Sequence, residues 1–315
     1  MNPEKLKICI AEQDDFSNVV FSDLAKRFEI LAMQPNENLK DLLKKVDIFW
    51  FRLGYKIDKN VLDKQSKCKY LVTPVTGIDH IDEVLCKELG VNIICLRGEY
   101  EFLKSIRATA EHTIGLTFAL FRNLADAIDH TKKGFWNRDE FRGRELYNKN
   151  VGIIGFGRLG VIVAGYFKAF GCNVGFYDVL EKEDTAYKKY DSLETLLEQS
   201  DIVSIHVNYN EINHHFFGEN HFEKMKKNAI FINTSRGGLV DEEAMLRALE
   251  SRKISGAGLD VLQGEPDIVN NKLIKYSNQS PNLIITPHIG GNTFESFEKT
   301  ETFIFEKLMK TIDGK

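Results

Sequence analysis

Three side chains with anion-binding and proton-transfer chemistry stand just past three separate apolar runs. Arg236 follows Ala229-Ile-Phe-Ile-Asn-Thr-Ser235, Glu265 follows Gly256-Ala-Gly-Leu-Asp-Val-Leu-Gln-Gly264, and His288 follows Leu283-Ile-Ile-Thr-Pro287. Arginine presents a planar fork that grips a carboxylate through two parallel hydrogen bonds, where lysine offers only a point charge. Histidine exchanges a proton near neutral pH, and a carboxylate beside an imidazole favours its charged form, by about 1.4 kcal/mol for each unit of upward pKa shift. Together the three amount to an anion clamp and a tuned acid. Singly, each has an ordinary account: a surface ion pair for Arg236, a turn before Pro266 for Glu265, a hydrogen-bonded loop histidine for His288.

A second constellation lies nearer the middle of the chain. Val151-Gly-Ile-Ile runs into Gly155-Phe-Gly-Arg-Leu-Gly160 and straight on into a helical pattern. Gly155 permits the tight turn, Gly157 lets backbone approach a pyrophosphate, and Gly160 lets the helix pack on the strand, so helix-start amides face phosphate. The next apolar run, Cys172-Asn-Val-Gly-Phe-Tyr177, ends in Asp178, 18 residues past Gly160. An acid at that distance accepts from a ribose 2′-hydroxyl, which makes this a dinucleotide-binding turn. A carboxylate there repels a 2′-phosphate, so Asp178 selects NAD over NADP; Lys182 is the nearest base that softens the preference.

These residues need a scaffold of strands whose carboxyl ends converge, because ligands of open α/β sheets sit in that crevice. Strand patterns fall near 5–11, 28–33, 47–52, 69–75 and 91–96, alternating with helical stretches such as Leu39-Lys-Asp-Leu-Leu-Lys-Lys45. After the glycine turn they recur near 172–178, 201–207, 229–234, 256–261 and 283–286, with Asp241 placed to cap a helix at Glu242. From about 105 to 132 the pattern predicts one long helix, apolar on most faces and buried at a domain or subunit interface. The stretch 293–312 predicts a last amphipathic helix that returns to the first domain. The fold class is α/β with two domains: residues 1–98 and 292–315 form one, the substrate domain of the family resemblance given below, and residues 99–291 form the other, carrying the dinucleotide.

Composition excludes other classes. With 43% hydrophobic and 28% charged residues and a net charge of −4, the chain can bury sizeable cores and lacks a basic nucleic-acid footprint. Five cysteines, odd in number and without C-x-x-C spacing, argue against a disulfide framework or zinc site and for a reducing cytoplasm. The N-terminal residues lead only to Ile8-Cys-Ile-Ala11, too short for a signal-peptide core, and no apolar stretch reaches the ~18 residues of a membrane span. His214, His215 and His221 lack the carboxylate or cysteine spacing of a metal site, so no metal is expected.

Four segments then carry a resemblance: Gly155-Phe-Gly-Arg-Leu-Gly160, Asn233-Thr-Ser-Arg-Gly-Gly-Leu-Val-Asp241, Gly258-Leu-Asp-Val-Leu-Gln-Gly-Glu-Pro266 and Thr286-Pro-His-Ile-Gly-Gly-Asn-Thr293. With Val75-Thr-Gly-Ile-Asp-His-Ile-Asp82, Ala108-Thr-Ala-Glu-His112 and Trp136 ahead of Gly143-Arg-Glu-Leu146, their order and spacing resemble the NAD-dependent D-isomer-specific 2-hydroxyacid dehydrogenases over nearly the whole chain. The resemblance implies a Rossmann-type doubly wound domain beside a smaller flavodoxin-like one, and an oxidoreductase of the phosphoglycerate dehydrogenase or hydroxypyruvate reductase kind, without a regulatory domain. It implies that Arg236, Glu265 and His288 are catalytic and that Thr76 and Gly77 meet the substrate carboxylate. NAD falls to Gly155, Gly157, Arg158, Leu159, Asp178, His206, Thr234 and Asp260. A homodimer is what the resemblance and the long helix suggest, with a small 2-oxo or 2-hydroxy acid as the other partner.

Two stretches depart from the family. Asn208-Tyr-Asn-Glu-Ile-Asn-His-His215 replaces a Pro-containing pattern, and Arg97-Gly-Glu-Tyr-Glu-Phe-Leu-Lys-Ser-Ile-Arg107 lacks the usual Ala-Pro-Gly and Asn signature. Arg52, Arg97 and Arg107 are candidates for a second cation toward a distal phosphate or carboxylate, or are plain surface charges. Glu265, where formate-oxidising relatives carry Gln, speaks against that activity. A non-catalytic NAD-sensing corepressor on the same fold is the alternative reading.

Overall fold

The computed structural model describes residues 5–182 and 186–314; residues 1–4 and 315, counted above in the first domain, lie outside them. The chain divides into two compact units, one of residues 1–103 and 293–315, the other of residues 104–292.

In the first unit, β1 (Lys7–Ile10), β2 (Glu29–Ala32), β3 (Ile48–Trp50), β4 (Tyr70–Val72) and β5 (Asn92–Ile94) pair in parallel in the order β2-β1-β3-β4-β5. A parallel sheet covered on both faces requires near-continuous apolar strands, and the Ile-Phe-Trp of β3 is wholly buried. Phe49 stacks on Phe51 at 4.9 Å, and Trp50 meets the edge of Phe16 at 5.2 Å. The last helix, Phe294–Ile312, is capped by Thr293 and belongs to this unit. It buries Ile304 and Leu308, stacks Phe303 on Phe102 at 4.1 Å, and sends Lys307 Nζ to the Cys95 carbonyl at 2.9 Å.

The second unit holds β6 (Asn150–Ile154), β7 (Asn173–Tyr177), β8 (Lys188–Lys189), β9 (Ile202–Ile205), β10 (Ile230–Asn233), β11 (Gly256–Leu259) and β12 (Leu283–Ile285). They form a parallel sheet in the order β12-β11-β10-β9-β6-β7-β8. The direction of winding reverses between β6 and β9, so the crevice for a ligand opens at their carboxyl ends. The short edge strand β8 has no counterpart in the sequence patterns, because two lysines carry no apolar period. Asp241 caps the helix Glu242–Glu250 by accepting from the amides of Glu243 (3.0 Å) and Ala244 (3.1 Å).

The single long helix expected over 105–132 is two. Ala108–Phe121 is buried along Ala110, Thr113, Ile114, Leu116 and Thr117, whereas Leu124–Lys132 buries no side chain. Asn123 breaks the helix with φ 51°, a left-handed conformation that asparagine tolerates better than other non-glycine residues. Apolar periodicity cannot register a one-residue reversal of φ, so the pattern runs through the break.

Candidate active site

The strand register brings the three chemical side chains to one edge of the second unit. Asn233 of β10 lies level with Leu259 of β11, which lies level with Ile285 of β12. Arg236 and His288 each come three residues beyond that line, and Glu265 comes six beyond it. Glu265 Oε1 and His288 Nδ1 are 2.6 Å apart, both half-buried, and Glu265 Oε2 accepts from the Leu262 amide at 3.2 Å. The pair leaves Nε2 of His288 for proton exchange with a substrate oxygen.

Arg236 owes its position to Asn233. That side chain is buried; its Nδ2 donates to the Arg236 carbonyl at 2.9 Å and its Oδ1 accepts from the Ser235 amide at 2.9 Å. Ser235 Oγ in turn donates to the Ile205 carbonyl of β9 at 2.9 Å. The result is a side-chain-closed turn, the local device for which asparagine is favoured. Sequence reasoning passed over Asn233, although an Asn closing an apolar strand is the available signal.

The glycine turn fits a dinucleotide. Gly155 has φ 87°, and a Cβ there would stand 2.6 Å from the His206 carbonyl, so only glycine closes the turn. A Cβ on Gly157 would meet nothing within 4 Å, so the backbone faces open space. Gly157 opens the helix Arg158–Ala169 without a side-chain cap, which leaves first-turn amides for a pyrophosphate. Arg158 and Leu159 are half-buried in that turn, and Arg158 Nη1 donates to the Ile106 carbonyl at 3.3 Å. Asp178 Oδ2 accepts from the Phe156 amide at 2.7 Å and Oδ1 from the Leu180 amide at 2.9 Å. Each oxygen keeps a lone-pair site for a ribose hydroxyl. Lys182 Nζ is 3.7 Å from Asp178.

Three other residues expected to touch the cofactor also make contacts within the second unit. Thr113 donates its one hydroxyl proton to the Thr109 carbonyl at 2.8 Å, so in the 2.9 Å contact with Thr234 it is Thr234 that donates, tying β10 to the helix Ala108–Phe121. His206 lies buried with Nε2 2.9 Å from Ser204 Oγ and no partner at Nδ1, and burial pushes its pKa down to about 3. Asp260 Oδ1 takes the Thr286 hydroxyl (2.6 Å) and the Ile289 amide (2.9 Å) and lies 3.2 Å from His112 Nε2; Oδ2 takes the Gly290 amide at 2.7 Å. Three of the four donors converge on Oδ1 and one on Oδ2, so this carboxylate holds the chain around His288 while Oδ2 keeps one lone-pair site.

In the first unit, Thr76 is exposed and Gly77 half-buried in the turn after β4. Arg52, one of the candidate second cations, is paired: its Nη2 lies 2.5 Å from the fully buried Glu301 and donates to the Asp15 carbonyl at 3.1 Å, and its guanidinium covers the Phe297 ring at 3.9 Å. A buried carboxylate without that partner costs several kcal/mol, which explains why Glu301 claims it. Arg97 is likewise paired, with Glu83 at 2.9 Å. Among the described residues no group of three or more His, Cys, Asp or Glu is arranged to hold a metal ion, and no helix is long and apolar enough to cross a membrane.

Comparison with known proteins shows the family. Residues 114–290, more than half of the chain, match the family described as D-isomer specific 2-hydroxyacid dehydrogenase, NAD binding domain. The chain is 34% identical over 290 residues to a D-3-phosphoglycerate dehydrogenase of Methanocaldococcus jannaschii, a match covering 91% of this chain and 53% of that protein, so it spans about half that relative's length. It is 33% identical over 278 residues to a hydroxypyruvate reductase of Thermotoga maritima, covering 88% of each. The structure is similar to that of a D-lactate dehydrogenase from Aquifex aeolicus solved with NAD and lactic acid, with TM-score 0.82, 30% identity and coverage of 98% of this chain and 96% of that one. A dinucleotide turn and a Glu–His pair on one parallel sheet, matched in sequence from residue 114 to residue 290, place the chain among the D-isomer specific 2-hydroxyacid dehydrogenases, oxidoreductases that work with NAD.

Proposed function

We propose that the chain interconverts a small 2-oxo acid and its D-2-hydroxy acid, with residues 104–292 binding NAD and residues 1–103 and 293–315 carrying the rest of the substrate site. The observation that carries the reading is the Glu265–His288 contact of 2.6 Å on the strand edge shared with Arg236. Arg236 grips the substrate carboxylate and polarises the carbonyl, and within the first unit the turn at Thr76 and Gly77 is the candidate substrate-binding turn. In the reducing direction His288 donates its proton from Nε2 to the carbonyl oxygen while Glu265 holds Nδ1 and balances the imidazolium. Such general acid catalysis contributes about 10² to 10⁴ in rate. Bound NADH supplies the hydride. Gly155, Gly157, Arg158, Leu159 and Asp178 hold the cofactor; His206, Thr234 and Asp260 shape its surroundings from within.

The exposed apolar side chains of Leu124, Ile128, Phe135 and Trp136 support a homodimer that covers them. Five free, buried thiols suit a reducing cytoplasm. The names of the relatives favour a short substrate with a hydroxymethyl or phosphate-bearing tail. Measuring NADH oxidation with pyruvate, glyoxylate, hydroxypyruvate, phosphohydroxypyruvate and bulkier 2-oxo acids tests the reading. Turnover on at least one, lost in His288→Ala, is expected; tight NADH binding without turnover on any would replace the enzyme with a nucleotide sensor.

A further inference from the structure

His112 sits in the second turn of the helix Ala108–Phe121 and reaches the loop that carries His288. Its Nε2 is 2.8 Å from Thr286 Oγ1 and 3.2 Å from Asp260 Oδ1. The proton on this contact can be placed. Thr286 spends its one hydroxyl proton on Asp260 Oδ1 at 2.6 Å, so its oxygen is an acceptor toward the imidazole. His112 therefore carries hydrogen on Nε2 and donates to both.

What this donor supports is a backbone that does not hold itself. His288 has φ 54°, a left-handed conformation costing a side-chain-bearing residue about 1–2 kcal/mol. Such a conformation persists where its surroundings over-determine it. Here the His288 amide donates to the Asp260 carbonyl at 2.8 Å, and the next two amides, Ile289 and Gly290, donate to the Asp260 carboxylate at 2.9 and 2.7 Å. A Cβ on Gly290 would come 2.8 Å from that carboxylate, so the approach is as close as glycine allows. Asp260 is 1% exposed; burial works to raise its pKa, and the donors from His112, Thr286, Ile289 and Gly290 outweigh burial and hold it below its usual value.

We propose that His112 is a positioning residue for the reaction: its Nε2–H fixes the Asp260 carboxylate in the orientation that pins the chain on both sides of His288, and thereby aims the His288 imidazole. The inference rests on His288 being the proton donor. Leucine at position 112 fills much of the same space but leaves the buried carboxylate one donor short, and the carboxylate then relaxes toward another orientation.

The experiment compares His112→Leu with His112→Gln, whose amide nitrogen reaches where Nε2 stood, in steady-state reduction of the best 2-oxo acid by NADH, beside His288→Ala. For His112→Leu a fall in kcat of about 10- to 100-fold is expected, the size of a roughly 1 Å misplacement of a catalytic group. The KM for the 2-oxo acid and the NADH Kd from fluorescence should stay within about twofold, and His112→Gln should recover most of kcat. Wild-type kcat in His112→Leu, or a loss shared equally by NADH binding, or no recovery in His112→Gln, overturns the proposal. If the leucine variant does not fold, His112→Asn, whose donor falls short of Asp260, takes its place with the same expected loss and the same refutation by wild-type kcat. Normal turnover in His288→Ala would remove the proton-donor reading and this inference with it; a dead His288→Ala beside an unimpaired His112→Leu would remove only this inference.

Discussion

Glu265 and His288, 23 residues apart in sequence, meet at 2.6 Å because β11 and β12 run side by side in parallel and release their loops at the same edge. The carboxylate orients one imidazole nitrogen and leaves the other to the substrate. His288→Ala and Arg236→Ala should each lower kcat/KM by about 10³-fold or more while NADH binding survives, since general acid catalysis and charge stabilisation are each worth about two to four decades. Glu265→Gln keeps a hydrogen-bond acceptor but not the countercharge, and should lose about 10- to 100-fold. Stopped-flow and fluorescence titration decide the matter; normal turnover in either alanine variant removes the assigned role.

Asn233 closes the turn that presents Arg236. Asn233→Ala deletes two hydrogen bonds at a fully buried site and leaves the Ser235 amide and the Arg236 carbonyl without partners, a cost of about 1–3 kcal/mol each in unfavourable cases. The expected signature is a lower melting temperature together with a KM for the 2-oxo acid raised about tenfold or more, because the arginine loses its fixed direction. An unchanged KM would show that the turn holds without the side chain.

Asp178 has two amide donors and room for ribose hydroxyls. Asp178→Ala should narrow the ratio of kcat/KM for NADH over NADPH by about an order of magnitude, since the carboxylate that repels a 2′-phosphate is gone and Lys182 remains. A ratio equal to that of the parent protein would argue that the ribose is recognised elsewhere.

His206 gives the fold a pH dependence. Burial lowers its pKa from 6.5 to about 3, so between these values the unfolded chain binds a proton that the folded chain refuses. Stability from this group is complete above about pH 6.5 and is lost as pH falls toward 3. Thermal melts from pH 7.5 to 4.5 should show a steep decline in the parent protein and a shallower one in His206→Gln. Parallel curves would assign the acid sensitivity to other groups.

Much of this protein is written in its local patterns. Apolar runs located eleven of the strands in the two sheets, because strands covered on both faces must be apolar along their length. The glycine turn, Asp178 and the Asp241 cap were equally legible, since each depends on a few neighbouring residues and fixed φ or hydrogen-bond requirements. The residue types Arg, Glu and His at strand ends named the chemistry.

Which partner each of those groups takes is a matter of tertiary structure. Asn123 ends a helix that periodicity extends, Glu301 claims Arg52, and Asp260 gathers donors from the His288 loop and His112. Donors and acceptors are finite in number and directional, so their pairing is settled by the register of distant strands and by what burial leaves uncompensated. A linear sequence shows which groups exist; only the packed chain shows which of them are already taken.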